Sequence, residues 1–465
     1  MSAARTPVDF TWIGRAARPV ALWAGRGVLA ILLVALTGAF SPSNAMKIQV
    51  VTSPGGITAW LVEAHEVPLI AMRFAFEGGS VQDPEGQNGA AYFVSGMLDE
   101  GAGDLNSVAF QERLEETAAR MNFNASRDVF MGNFQTLTKN ADESFELLRM
   151  ALNEPRFDKD AVERIRQQIL AGLEFDSNDP ENVAAREWYK LAFADHPYSR
   201  AVKGTKETVG ALGGGNLKAY TKRVFARDTL KVAVVGDIDA KSLAKVLDDV
   251  FGGLPATGDL TRVPEAKPPV GPQEKLVEMN IPQSVAQFGH SAFKRDDDDF
   301  IASYVLNYIL GGGGFSSRLM EEVREKRGLA YSVHSYLHPY ERAAIYAGNV
   351  ATKNEAIGTS LDVIRAEIAR MAESGPSAEE LNKAKQYLTG SYGLRFDTNT
   401  KIASQLIWIQ LQSLGLDYVD KRNGLIEAVS LDDVKRVAKR LLKADGLIVT
   451  IVGKPGSSPK KPARG

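Results

Sequence analysis

The chain has 465 residues, 44% of them hydrophobic and 24% charged, with 55 Lys+Arg against 57 Asp+Glu and no cysteine. That length supports more than one well-buried domain, and the ordinary hydrophobic and charged fractions exclude wholesale disorder. A formal charge of −2 gives no basic excess for a nucleic-acid binder; the missing cysteine excludes disulfides, Cys-ligated zinc, iron–sulfur clusters and a Cys nucleophile, so metal chemistry would rest on Asp, Glu and five His.

Residues 1–26 carry Arg5, Arg15, Arg18 and Arg26 against one acid, Asp9. The uncharged run GVLAILLVALTGAF (27–40) and the small-residue stretch SPSNA (41–45) follow. A basic start, a short apolar core and small residues at Ser43 and Ala45 predict a secretory signal peptide cut after Ala45. The apolar run is shorter than the roughly 20 residues of a spanning helix, and no later stretch is long and apolar enough to cross a bilayer. Removing 1–45 takes away four Arg and one Asp, which moves the formal charge from −2 to −5. The expected product is an exported, periplasmic, mildly acidic chain, and a cysteine-free sequence suits an oxidising compartment.

Alternating β-rich runs, WLVEAH (60–65) and LIAMRFAF (69–76), precede two helical patterns, KNADESFELLRMAL (139–152) and EPRFDKDAVERIRQQI (154–169). The plan returns later: AYSVHSYL (330–337), then KNEAIGTSLDVIRAEI (353–368) and ESGPSAEELNKAKQYL (373–388). In both copies an amphipathic helix, a Pro-containing turn and a second helix follow one another, with Asp158 and Ser377 as N-caps. Between the copies, PATGDLTRVPEAKPPVGPQEK (255–275) holds five Pro and reads as a linker. The pattern predicts two α+β domains, 46–254 and 276–453, each a mixed or antiparallel sheet with helices on one face, and a flexible tail, 454–465.

His334 and His338 have the i, i+4 spacing of a helical ligand pair, but SVHSYLH alternates, and along a strand they stand roughly 13 Å apart. His65, His196 and His290 are isolated in sequence and read as structural or surface residues. Asp296–Asp299 precede the apolar helix FIASYVLNYIL (300–310), where acids favour the positive end of the helix dipole. Gly311, Gly312, Gly313 and Gly314 lack the following Lys-Ser/Thr of a phosphate loop and read as a turn that lets backbone approach closely.

The stretch FAFEGGSVQDPEGQNGAAYFVSGMLDEGAG (74–103) resembles the N-terminal signature of the pitrilysin/insulinase family of zinc metallopeptidases, which includes mitochondrial processing peptidase. The resemblance continues through HPYSRAVKGTKETV (196–209), TKRVFARDTLKVAVVGDID (221–239) and GGGGFSSRLMEEVREKRGLAYSVHSY (311–336). It implies a duplicated α+β unit. Active members carry H-x-x-E-H on a helix, where imidazoles at i and i+4 share one face and the Glu takes a proton from metal-bound water. Here the two His positions fall on Tyr92 and Gly96 and the Glu on Ser95; the position of the family's third ligand, a Glu on a later helix, falls on Gly172. A glycine has no ligand atom, a neutral Tyr is a poor ligand and Ser is no base near pH 7. Glu174 alone is one carboxylate, whereas a catalytic zinc takes about three protein ligands.

The helix predicted over SSRLMEEVREKR (316–327) stops at Gly328, and a strand begins near Ala330. The resemblance assigns Arg324 and Tyr331, from this helix end and strand start, to holding a substrate carbonyl. It implies a non-catalytic subunit of an exported heterodimeric zinc peptidase. This chain would hold no metal, zinc would sit in a pitrilysin-like partner with an intact H-x-x-E-H, and the two would enclose unfolded peptides. A non-hydrolytic structural or peptide-binding role is the alternative.

Overall fold

The computed structural model describes residues 46–269 and 271–456. The expected signal peptide and residues 457–465 of the expected tail lie outside the described residues.

The first half supplies strands β1 (Gln49–Thr52), β2 (Thr58–Glu63), β3 (Leu69–Glu77), a short pair β4 (Gly101–Ala102) and β5 (Leu105–Asn106), β6 (Arg120–Ala125), β7 (Val129–Leu137) and β8 (Leu230–Gly236). Its helices are α1 (Ala90–Ser95), α2 (Ser107–Thr117), α3 (Ala141–Asn153), α4 (Lys159–Asn178), α5 (Pro180–Phe193), α6 (Lys206–Ala211), α7 (Gly214–Val224) and α8 (Ala240–Phe251). The second half supplies β9 (Gln273–Glu278), β10 (Gln283–Ser291), β11 (Ala330–Pro339), β12 (Ala344–Lys353) and β13 (Ile448–Gly453). Helices α9 (Phe300–Asn307), α10 (Ile357–Ser374), α11 (Ala378–Gly390), α12 (Asn399–Leu411), α13 (Tyr418–Glu427) and α14 (Leu431–Leu441) complete it. Among its described residues the linker stretch carries no helix or strand until β9 opens at Gln273, two residues before the expected end of the linker. No helix among the described residues is long and apolar enough to cross a membrane.

The two sheets repeat one topology. Their orders are β1-β2-β8-β3-β7-β6 and β11-β12-β10-β13-β9, so the second matches the first without β1. In each, the pair β2/β8 or β9/β13 is parallel and the other neighbours are antiparallel. One cross-strand pair recurs: Phe74 in β3 faces Gly132 in β7, and Phe288 in β10 faces Gly348 in β12. A Cβ on either glycine would overlap the facing ring, so each ring lies flat over its neighbour strand. The repeat seen in the helices is therefore also written into the sheets.

The helices do not stay on one face. Alternation divides β3 into Ile70, Met72, Phe74 and Phe76, which join the core of the first half's own helices, and the smaller Ala71 and Ala75, buried but outside that core. Helix α12, from the second half, packs on β3 and β8, and its Gln410 Nε2 donates to Val232 O at 2.9 Å. Reciprocally, α5 of the first half packs on β10 and β13. Its buried Trp188 donates from Nε1 to Ile448 O at 3.0 Å, and the ring fits because residue 289 is glycine: a Cβ there would lie 2.9 Å from Trp188 Cζ2. Buried Glu187 on α5 also pairs with Lys275 on β9 at 2.7 Å. Each sheet thus has its second face closed by a helix of the other half, which ties the halves into one unit from Ile48 onward.

Candidate functional site

The candidate residues fall in two places: the seam between α1 and α4, and the turn that leads into β11.

Helix α1 begins where the Asp83 carboxylate accepts the N–H groups of Gly89 and Ala91, at 2.7 and 2.9 Å. Burial pushes that carboxyl up to about 7 despite these donors. The helix is only six residues long, and Gly96 is its C-cap rather than a helical residue. Tyr92 is half-buried, and Ser95 Oγ is spent on donating to Tyr92 O at 2.7 Å. On α4, Ile165 and Gly172 stand on one helical face seven residues apart, with Asp176 one turn further on. A Cβ on Gly96 would lie 3.3 Å from Ile165 Cγ2, and a Cβ on Gly172 would meet nothing within 4 Å. At the other end of the seam, Lys203 Nζ donates to Asp176 Oδ2 at 2.6 Å and sits 6.0 Å from the Tyr92 ring centroid. The structure therefore does bring Tyr92, Ser95, Gly96 and Gly172 to one seam, and the positive charge there belongs to a lysine held by Asp176. Glu174 points to a different cation, Lys206.

Among the described residues no three His, Asp or Glu side chains converge as a metal-ligand set. His334 and His338 both lie on β11, opposite Asn349 and Ile345, and so are too far apart along the strand for one ion. His65 Nδ1 is hydrogen-bonded to Asp237 at 2.7 Å, His196 Nε2 to Pro264 O at 2.9 Å, and buried His290 Nδ1 to Ser291 O at 2.7 Å. The acidic run is explained by partners rather than by the helix dipole alone. Arg440 binds Asp297 and Asp299, and Arg436 binds Asp299 at 2.7 Å, so α14 clamps the start of α9.

At the second place, α9 continues as a π-helical turn over Tyr308–Gly312, followed by a 3₁₀ turn at Gly314–Ser316. The glycines let this chain lie against β11: a Cβ on Gly311 would come within 2.8 Å of Ser335 N. Asn307 and Ser335 stitch the contact, with Ser335 Oγ donating to Asn307 Oδ1 at 2.8 Å. The regular helix expected over 316–327 is not what forms. Met320–Glu325 is a second π-helical turn, and wide turns of this kind recur at functional sites. Ion pairs around one buried carboxylate explain how it is held: Glu322 pairs with the half-exposed Lys326 at 2.7 Å, Arg327 at 2.6 Å and Arg370 at 3.4 Å. Those cations hold its carboxyl down at about 2. The turn ends at Gly328, at φ +60°, where Leu329 N donates to Val323 O at 2.9 Å.

Arg324 leaves this turn half-buried, its guanidinium carbon 4.7 Å from the centroid of the Phe315 ring. Its carboxylate neighbour is Glu325, at 3.5 Å. Tyr331 is the extra residue of a β-bulge: Ala330 pairs with Thr352 and Ser332 with Ala351, so nothing on β12 faces Tyr331. Bulges re-aim side chains, and Tyr331 is 79% exposed. Phe315 and the Lys203–Asp176 pair escaped the sequence reading. An aromatic residue directly after four glycines was a signal for the first; the second pair is joined only by folding. A separate cavity of about 570 Å³, between the Asn153–Asp158 segment and α7, shares no lining residue with either place.

Residues 61–206 match the family described as Insulinase (Peptidase family M16), and residues 214–388 match Peptidase M16 inactive domain. A Helicobacter pylori protein named Non-peptidase homolog YmxG is 29% identical over 393 residues, covering 84% of this chain and 90% of its own length. A Bacillus subtilis protein named Uncharacterized zinc protease YmxG is 23% identical over 408 residues, covering 86% and 97%. A crystal structure of a peptidase M16 inactive domain from Pseudomonas fluorescens superposes with a TM-score of 0.84 at 28% identity, covering 89% of this chain and 99% of that one. With its duplicated sheets and both halves matched, the chain belongs to the pitrilysin/insulinase peptidases, family M16, as a member whose first half lacks the inverted zinc motif.

Proposed function

We propose that this protein is the non-catalytic subunit of an exported, periplasmic heterodimeric zinc peptidase. One contrast carries the reading. The α1–α4 seam offers Tyr92, Ser95, Gly96 and Gly172, which provide neither a ligand set nor a base, while Arg324 and Tyr331 stand on a separately braced turn and bulge with donors to spare. A partner with an intact H-x-x-E-H supplies zinc and the base. Arg324 and Tyr331 then act in trans: a guanidinium and a phenol O–H aimed at one carbonyl oxygen stabilise the negative charge that builds on it during peptide hydrolysis. The substrate is an unfolded peptide enclosed between the two chains, and this chain's own contribution is binding and positioning. The name of the Helicobacter pylori relative, a non-peptidase homolog, is in keeping with a chain that does not cleave alone.

The test is co-purification from the native host, with zinc quantified in the complex and in this chain by itself. Zinc and peptidase activity should follow the partner. Arg324→Ala and Tyr331→Phe should each lower turnover of the assembled complex tenfold or more without preventing assembly. Full turnover in both variants would defeat the trans-acting role. A lone chain with one tightly bound zinc and chelator-sensitive cleavage would defeat the whole reading. A complex that assembles and binds peptide but never cleaves would leave a purely binding role.

A further inference from the structure

We infer that Phe315 is a positioning residue: its ring holds the Arg324 guanidinium in place while leaving the N–H donors of that guanidinium free for substrate. The inference rests on the subunit reading above and adds to it the residue that orients the arginine.

Phe315 is a large apolar ring left 71% exposed, which by itself is unfavourable in water. The ring does not hang on a loose segment. It sits in the Gly314–Ser316 turn, closed by Ser316 N donating to Gly313 O at 3.2 Å and Ser317 N to Gly314 O at 3.0 Å. Buried Ser317 adds an Oγ bond to Gly314 O at 2.7 Å. The turn is further fixed because Gly311 is pressed against Ser335 on β11. Over this fixed ring lies Arg324, at 4.7 Å, within the range of cation–π attraction.

The chemistry of the two possible restraints differs. A carboxylate that oriented Arg324 would occupy its N–H fork, because bidentate pairing uses those donors. An aromatic face attracts the cation through the ring quadrupole and uses none of them. Neighbouring arginines show the other arrangement: Arg318 gives two donors to Glu380, at 2.5 and 2.7 Å. Among the described residues, the one carboxylate paired with Arg324 is Glu325, in single contact with Nε at 3.5 Å. A guanidinium that is oriented but unspent suits a group that must meet a carbonyl oxygen on arrival, since its ordering entropy is largely lost before substrate binds.

Five chains test this: wild type, Phe315→Leu, Phe315→Tyr, Arg324→Ala and the double variant Phe315→Leu/Arg324→Ala. Each is assembled with the catalytic subunit and assayed on an internally quenched casein peptide. Leucine keeps an apolar side chain but has no ring face, and because the position is exposed the substitution leaves the packed core untouched. Phe315→Leu should lower kcat/KM about two- to fivefold, more through kcat than through KM, and Phe315→Tyr should match wild type. In the Arg324→Ala background, Phe315→Leu should have no further effect, since there is then nothing to orient. If Arg324→Ala loses turnover while Phe315→Leu does not, the positioning role is overturned and the subunit reading stands. An undiminished Phe315→Leu effect in the double variant would also overturn it, because the ring would then act on its own. Full turnover in Arg324→Ala would overturn both.

Discussion

Replacing Trp188 by phenylalanine removes one hydrogen bond and part of a ring system from the seam where α5 crosses the second sheet. Trp188 is fully buried, its indole N–H reaches Ile448 O in β13, and its ring fills the space opposite Gly289. Leaving the Ile448 carbonyl without its donor inside a buried seam costs about 1–3 kcal/mol. The missing ring atoms add a cavity term, so Trp188→Phe should cost about 2–3 kcal/mol and Trp188→Ala about 3–5. Against a total stability of about 5–15 kcal/mol, the alanine variant should lose between about a fifth and nearly all of it. Urea unfolding followed by far-ultraviolet circular dichroism gives the loss, and amide exchange locates it. Because α5 belongs to the first half and β10 and β13 to the second, exchange should rise together in all three segments. Two results would refute the reasoning: a Trp188→Phe loss below about 0.5 kcal/mol, or a Trp188→Ala protein whose second half unfolds in a separate transition at the unchanged midpoint.

Gly132→Ala and Gly348→Ala should each destabilise by about 1–3 kcal/mol, since the new methyl meets the facing ring of Phe74 or Phe288; adding Phe74→Leu to Gly132→Ala should recover part of the loss in a melting measurement. Gly172→Glu should leave stability within about 0.5 kcal/mol, because its side chain enters open space, whereas Gly96→His must push against Ile165 and should cost about 1–3 kcal/mol; comparable losses from both in thermal melts would contradict the seam geometry. Glu322 supplies a pH dependence. Its folded pKa of about 2 lies below the unfolded value of 4.5, so its stabilisation is present above about pH 4.5 and lost as pH falls towards 2. Urea titrations at several pH values should show Glu322→Gln less stable than wild type near pH 7, with the gap closing across that window; a gap independent of pH would show that charge is not what holds the Met320–Glu325 turn.

Much of the fold was legible because its signals are local. The helix pairs α3–α4 and α10–α11 form where the two copies of the pattern lie, and Ser377 caps α11 with Glu380 as its reciprocal partner. Asp158 stands at the expected N-cap of α4, but its carboxylate is taken by Arg156 instead of the helix N–H groups. The π-helical turn at Met320–Glu325 was not legible: its residues read as ordinary helix formers, and the wider winding accompanies long-range pairing of Glu322 with Arg370. Nor was the bulge at Tyr331, which is a property of the register between β11 and β12 and not of either strand.

The candidate site divides in the same way. That Tyr92, Ser95, Gly96 and Gly172 carry neither an imidazole nor a carboxylate is written in the order of residues. That a lysine from a later loop sits beside Tyr92, that Phe315 lies under Arg324, and that α5 and α12 each cross to the other half's sheet were decided by tertiary structure. The lysine beside Tyr92 and the crossings of α5 and α12 join segments far apart in the chain, where neither periodicity nor capping carries information; Phe315 and Arg324 are only nine residues apart, and it is the winding of the turns between them that brings ring and guanidinium together.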